Sequence, residues 1–173
     1  MEKNRLNEFD LTDLIFVDAN IFIDHASGNP IFGKTCEEFL EKVESKNVVA
    51  ITTTAVLDEV GYILSLLEGA RALKTRELKI VRKKLKEDSK LAVACYKRVC
   101  DYMKYIFFLG ERGLDIQKVE PKDLLMSTTL GGKYRLLFKD ALHLSAMKRL
   151  NVKNIASRDS DFERVNNIMI WMP

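Results

Sequence analysis

The sequence predicts an α/β fold of three layers, α/β/α, around a mainly parallel sheet, with a helical insertion over about residues 69–110. Three observations carry this. Short apolar runs alternate with longer stretches of helical period, the order of a parallel sheet wound by crossover helices. The runs are continuous rather than alternating, so they read as strands buried on both faces. Between Gly69 and Leu109 the strand signal disappears and apolar residues recur only at helical steps.

Leu14-Ile15-Phe16-Val17 is the first strong element, and it stops at Asp18. Gly28, Asn29, Pro30 and Gly33 mark a loop. Thr35 to Ser45 reads as a helix, with Cys36, Phe39, Leu40 and Val43 at helical spacing. Val48-Val49-Ala50-Ile51 is the second strand. Thr52 to Thr54 can cap the next helix, which runs through Val56, Glu59, Val60, Ile63 and Leu67. In the insertion, Leu78, Val81, Leu85, Ala92, Tyr96, Val99, Met103 and Ile106 form an apolar seam with a gap near Ser89. One unbroken helix there would be about 60 Å long, whereas a domain of this length is only roughly 40 Å across. The insertion is therefore expected to break near Asp88-Ser89 into an antiparallel pair, or else to project.

Asp115 to Val119 reads as the third strand. Pro121 opens a helix that is expected to end at Gly131-Gly132, and Asp140 to Leu150 forms another. Val152 to Ala156 is a strand, Ser157 to Phe162 a loop and short helix, and Ile168 to Met172 a final strand. No internal repeat or low-complexity tract interrupts this order, so residues 1–173 are expected to form one domain. Crossovers in such a sheet should be right-handed.

Composition narrows the function classes only a little. Hydrophobic residues make up 47% of the chain, enough for a sizeable core, and the net charge of +3 permits a nucleic-acid partner without requiring one. Cys36, Cys95 and Cys100 form no CxxC pair, so a reduced cytoplasmic protein is expected. Glu2, Lys3, Arg5, Glu8, Asp10 and Asp13 precede any apolar run, which argues against a signal peptide. No uncharged stretch reaches the ~20 apolar residues that a bilayer span needs, so no membrane partner is expected.

The chemistry lies in the carboxylates. Open parallel sheets bind ligands beyond the carboxyl ends of their strands, where strand order reverses. Asp18 and Asp159 fall just past two such strands, and Glu59 and Asp140 fall in early turns of helices after loops. Taken singly, each has a plainer reading: a turn residue, a solvated helix acid, a first-turn acid, a cap. Their joint placement has none. With no Arg or Lys expected between them, such acids repel one another unless a divalent cation neutralises them. Oxygen-only ligands favour Mg²⁺ or Mn²⁺.

These motifs resemble a known family. Asp18-Ala19-Asn20 after a buried strand looks like the opening motif of PIN domains. Glu59 in Thr54-Ala55-Val56-Leu57-Asp58-Glu59-Val60 resembles the family's second acid, and Asp140 in Asp140-Ala141-Leu142-His143-Leu144 its third. Ser157-Arg158-Asp159-Ser160-Asp161-Phe162 resembles the closing motif. The likeness runs from Leu14 to Met172 and implies a PIN-like fold. It also implies a metal-dependent endoribonuclease, often the toxin of a toxin–antitoxin pair and often dimeric. Asp18, Glu59, Asp140 and Asp159 would then be the catalytic metal ligands, with Asn20 and Ser157 auxiliary; Asp161, two residues after Asp159, could share a metal or only cap the short helix. Compact PIN toxins have a shorter helical pair where this chain has its insertion.

Asn20 could hold Asp18 in place or merely cap a loop. His143, one turn after Asp140, is expected to be a core histidine bonded to backbone rather than a site residue. Arg82, Lys83 and Lys84, in the basic run from Lys74 to Lys90, are the best candidates for RNA phosphate contacts, though a solvated helix face is the default. Tyr102, Tyr105, Phe107 and Phe108 suit a core or a dimer interface better than a base-stacking surface. The competing reading is a non-catalytic PIN-like scaffold that binds RNA or a protein partner. A phosphotransfer domain is disfavoured, because Asn20 stands where a second Asp would be needed.

Overall fold

The short apolar runs do become strands. In the computed structural model, which describes residues 4–9 and 13–173, Asn4–Arg5 forms β1, Ile15–Val17 β2, Ala50–Thr53 β3, Leu114–Gln117 β4, Asn154–Ala156 β5 and Met169–Met172 β6. Glu2, Lys3 and Asp10 of the charged opening segment lie outside the described residues. The sheet has the order β1-β6-β5-β2-β3-β4, and every pairing is parallel. The central strands β2, β3 and β5 are buried along their whole length, as continuous apolar runs require. β1 carried no sequence signal. Its two polar, exposed residues pair with Trp171 and Met172 and show no apolar period.

Among the described residues, seven helices connect the strands: Ala19–Ser27 (α1), Gly33–Glu44 (α2), Thr54–Leu73 (α3), Leu78–Glu87 (α4), Ser89–Gly110 (α5), Pro121–Tyr134 (α6) and Phe138–Arg149 (α7). A 3-10 turn follows at Ser160–Arg164. From β2 to β4 the chain steps one way across the sheet; from β4 it crosses back over β3 and β2 to β5 and β6. Right-handed crossovers then put α1–α5 on one face and α6–α7 on the other. The helix contacts divide in the same way: α1, α2, α4 and α5 join through α3 and α1, while α6 packs on α7.

Several boundaries differ from the sequence reading. α1 was not expected, because Asn20 to Ile23 is too short and β-branched to show a helical period. Its caps define it: Asp18 accepts from the Ala19 N–H, and Gly28 takes the left-handed conformation at φ 62°. Thr52 and Thr53 extend β3; Thr53 stands at the N-cap of α3 as expected but its side chain makes no capping bond, and Thr52 Oγ1 donates to Val17 O at 3.0 Å. α6 runs through Gly131-Gly132 because Leu130 and Tyr134 are both buried and anchor its last turn. α7 begins at Phe138, which leaves Asp140 in its first turn.

The insertion breaks where expected. Asp88 ends α4, and its carboxylate accepts from the Leu91 N–H to start α5. Both helices pack on α3 and on each other, so the segment does not project. Val81, Cys95, Val99, Ile106 and Leu109 form the buried seam. Leu78 and Tyr96, expected on that seam, are 46% and 56% exposed. Tyr102 and Tyr105 pack against the core, but Phe107 and Phe108 face outward. No helix among the described residues is long and apolar enough to cross a membrane.

Gly113 shows how tightly β4 is set into the sheet. A Cβ there would collide with the carbonyl oxygens of Val43 and Val48, neither of which can swing away. The Gly113 carbonyl meanwhile accepts from the Ala50 N–H at 2.8 Å. Gly113→Ala should therefore cost about 1–3 kcal/mol of stability. A thermal melt should show the midpoint falling by several degrees; an unchanged midpoint would refute this packing.

Candidate metal centre

Strand order reverses between β2 and β5, which are adjacent and end in register at Val17 and Ala156. The next residues, Asp18 and Ser157, therefore emerge side by side. Ser157 Oγ donates to Asp18 Oδ2 at 2.7 Å, and Asn20 Nδ2 donates to the same oxygen at 2.5 Å. The other oxygen, Oδ1, accepts from the Ala19 N–H at 2.7 Å. Asp18 is thus a buried carboxylate with three donors aimed at it. Burial nevertheless pushes its carboxyl above the ordinary range, against the pull of His143, Ser157 and Ala19.

Asn20 and Ser157 tie the two strand ends together. Asn20 Nδ2 also lies 3.0 Å from Ser157 Oγ, and its Oδ1 accepts from the Arg158 N–H at 3.2 Å. Ser157 Oγ accepts from the Asp159 N–H at 3.0 Å. Asp159 in turn accepts from the Asp161 N–H at 2.8 Å and caps the 3-10 turn. This turn brings Asp161 round beside Asp159. Carboxylate oxygens of Asp140, Asp159 and Asp161 all lie within 4.8 Å of one another.

Glu59 and Asp18 do not belong to that compact trio, but His143 joins them to it. Its Nε2 lies 3.6 Å from Glu59 Oε2 and 4.0 Å from Asp18 Oδ1. His143 is therefore not a core histidine bonded to backbone: it is buried, and neither ring nitrogen has a hydrogen bond. One helical turn separates it from Asp140, so the same face of α7 carries both toward the acids. Lys139 is also present, with Nζ 3.7 Å from Glu59 Oε2. The expectation of a cluster free of lysine fails here, because α7 starts early enough to place Lys139 at its rim. His143 first, and Lys139 after it, hold the Glu59 carboxyl below its ordinary range. Asp140 moves the other way. Burial, reinforced by the charges of Asp159, Asp18 and Glu59, pushes it up to about 6.

A second buried pair escaped the sequence reading. Arg158 Nε lies 2.8 Å from Asp24 Oδ2, and Asp24 is almost fully buried on α1. An Asp on the apolar side of a helix needs such a partner, and that position was the available signal. The pair anchors the loop between Ser157 and Asp159. Arg164 likewise holds Asp161, with Nη2 2.6 Å from Oδ1.

The donor set suits a hard divalent cation. It is made of carboxylate oxygens, it is buried and crowded enough to keep Asp140 partly protonated near pH 6, and no thiol lies among its side chains. In chelator, Asp140 should lower stability as pH rises. Its folded value exceeds the ordinary one of 3.8, so its contribution is fully present below pH 3.8 and is lost as pH climbs through about 6. Asp140→Asn should therefore melt higher than the natural chain at pH 7, by on the order of 1–2 kcal/mol after solvent screening of this half-buried group. The gap should close toward pH 4. A gap that is independent of pH would exclude the crowding.

The comparisons with known proteins agree with this fold. Among solved structures, the fold resembles a chain of VapBC2 from Rickettsia felis, crystallised with a DNA fragment from its promoter. That match has TM-score 0.54 and 17% identity, over 92% of this chain and 98% of that one. It also resembles VapC20 of Mycobacterium tuberculosis, a sarcin–ricin loop cleaving toxin, with TM-score 0.54 and 15% identity over 89% and 96% of the two chains. PAE2754 from Pyrobaculum aerophilum aligns with TM-score 0.52 and 11% identity over 98% and 92%. At such identities these likenesses speak for the fold alone. No curated protein matches in sequence. The PIN domain family profile matches residues 15–168, nearly the whole chain, and the protein belongs to the PIN domain family.

Proposed function

We propose that this chain is a metal-dependent endoribonuclease acting as a single domain, with Mg²⁺ or Mn²⁺ held by Asp140, Asp159 and Asp161 and completed by Asp18 and Glu59. The observation that carries the proposal is the trio of carboxylate oxygens within 4.8 Å, joined to two further acids around one buried histidine. A divalent cation at such a site stabilises charge building on the scissile phosphate and lowers the pKa of the attacking water.

The chain's own residues do the rest. Ser157 and Asn20 fix the direction of Asp18 and leave part of its acceptor capacity unused. The backbone turn at Asp159 sets the spacing to Asp161, and Arg164 keeps Asp161 from swinging out. His143 keeps Glu59 ionised, so one acid stays charged beside an Asp140 that holds a proton near pH 6. Lys139 supplies the positive charge at the rim where a phosphate would approach.

The test is cleavage of single-stranded RNA in Mg²⁺, in Mn²⁺ and in chelator. Cleavage should need the metal, and Asp140→Asn should lower it by at least about 100-fold while the fold persists. Equal cleavage by both proteins would place the chemistry elsewhere. No cleavage by the metal-loaded natural chain would favour the scaffold reading. The same proposal makes the chain the toxin of a toxin–antitoxin pair. Its induced expression should then arrest growth, and Asp140→Asn should relieve the arrest.

A further inference from the structure

The geometry points to Tyr62 as a stacking platform for an unpaired RNA base, flanked by Lys139 and Arg82, on a track from the acid centre to α4. This rests on the reading of the centre as a site that acts on RNA. Tyr62 follows Glu59 by three residues on α3, so the ring stands beside the acid on the same helix face. Lys139 Nζ bridges the two, 3.7 Å from Glu59 Oε2 and 5.9 Å from the Tyr62 ring centre. Arg82 reaches the ring from α4, with its guanidinium carbon 5.8 Å from the centre. The ring remains 45% exposed, although many of its apolar neighbours on α3 are buried.

Past the ring, the positive charge continues. Lys79, Arg82, Lys83 and Lys86 are exposed and lie at three- and four-residue steps, so they form one stripe along α4. Lys84 stands off that stripe, while Lys83 is only loosely met by Glu87 at 3.8 Å. Close helix packing brings Arg82, on the edge of the stripe, to the ring. A Cβ at Gly69 of α3 would stand 2.6 Å from Val81 Cγ1, so the glycine lets α4 settle directly onto α3. A half-exposed aromatic ring beside two long, flexible cations suits a strand whose phosphates and bases are both accessible. In an A-form duplex the bases are stacked and paired, so the ring has nothing to receive.

The experiment measures binding in chelator, so it is read independently of cleavage. The probes are a single-stranded RNA oligonucleotide carrying 2-aminopurine and the duplex of the same sequence. Tyr62→Ala should weaken single-strand binding by about 5- to 100-fold and abolish the fluorescence quenching of the stacked base. Tyr62→Phe should stay within about twofold of the natural chain, and duplex binding should not change with either. Arg82→Ala should lower the salt slope for single strands by about 0.7, whereas Tyr62→Ala should leave it unaltered. Single-strand binding unaffected by Tyr62→Ala would overturn the inference, as would equal losses for single strand and duplex. A natural chain that binds with quenching but never cleaves RNA would defeat the nuclease proposal and leave this one standing.

Discussion

Mutual repulsion among carboxylates at the β2–β5 switch point is the constraint around which the rest of this structure is arranged. Asp18, Glu59, Asp140 and the Asp159–Asp161 pair come from four separate stretches of chain, yet they meet at one edge of the sheet. Nothing in a parallel sheet demands this. Left alone, such acids would push α3, α7 and the loop after β5 apart. The protein resists in two ways. Asp140 and Asp18, raised chiefly by burial and further by their acidic neighbours, take up a proton more readily. Neighbouring groups also hold the acids in place: Ser157, Asn20 and a backbone N–H donate to Asp18, His143 and Lys139 lie beside Glu59, and Arg164 pairs with Asp161. A bound cation would relieve the remaining repulsion directly.

The pinning also explains why the loop after β5 is so firmly held. Three consecutive residues each use a different attachment. Ser157 is bonded to Asp18 through its side chain, Arg158 reaches buried Asp24 on α1, and the Asp159 N–H returns to Ser157. Removing Arg158 would leave the buried Asp24 carboxylate with only the Asn29 amide donating to it, and the loop would lose stability. The acids therefore sit on a braced frame rather than on a free loop, and small errors in their spacing are suppressed.

Much of the fold was legible because its signals are local. Ile15-Phe16-Val17 needs no partner to read as a buried strand, and Asp88-Ser89 announces a cap wherever it stands. What stayed hidden depends on tertiary partners. β1 exists only because β6 offers an edge to Asn4 and Arg5. α6 outlasts its two glycines because Leu130 and Tyr134 find a core. In the site, the chain positions of the acids were readable from strand ends and helix starts, but their companions were not. His143 looks like any core histidine until α7 is laid against Asp18 and Glu59. Lys139 looks solvated until the helix is seen to begin at Phe138. The grouping of Asp161 with Asp140, apart from Asp18, likewise follows from a 3-10 turn that the sequence marks only faintly.

The helix α3 connects these two levels. Its first turns carry Glu59 into the acid centre, its middle exposes Tyr62, and its last turns present Gly69 to α4. A shorter helix would suffice to position Glu59. The extra length has a structural use of its own, since it gives α4 and α5 a surface on which to bury Val81, Val99 and Ile106. Those apolar contacts fix the helical pair without drawing on the charged face of α4, which remains in solvent beside the site. The helical pair α4–α5 is thus bound to the same helix that carries Glu59. A shift of α4 along α3 would move Arg82 relative to Tyr62 while leaving Glu59 in place, because the sheet and α7 hold the helix at its other end.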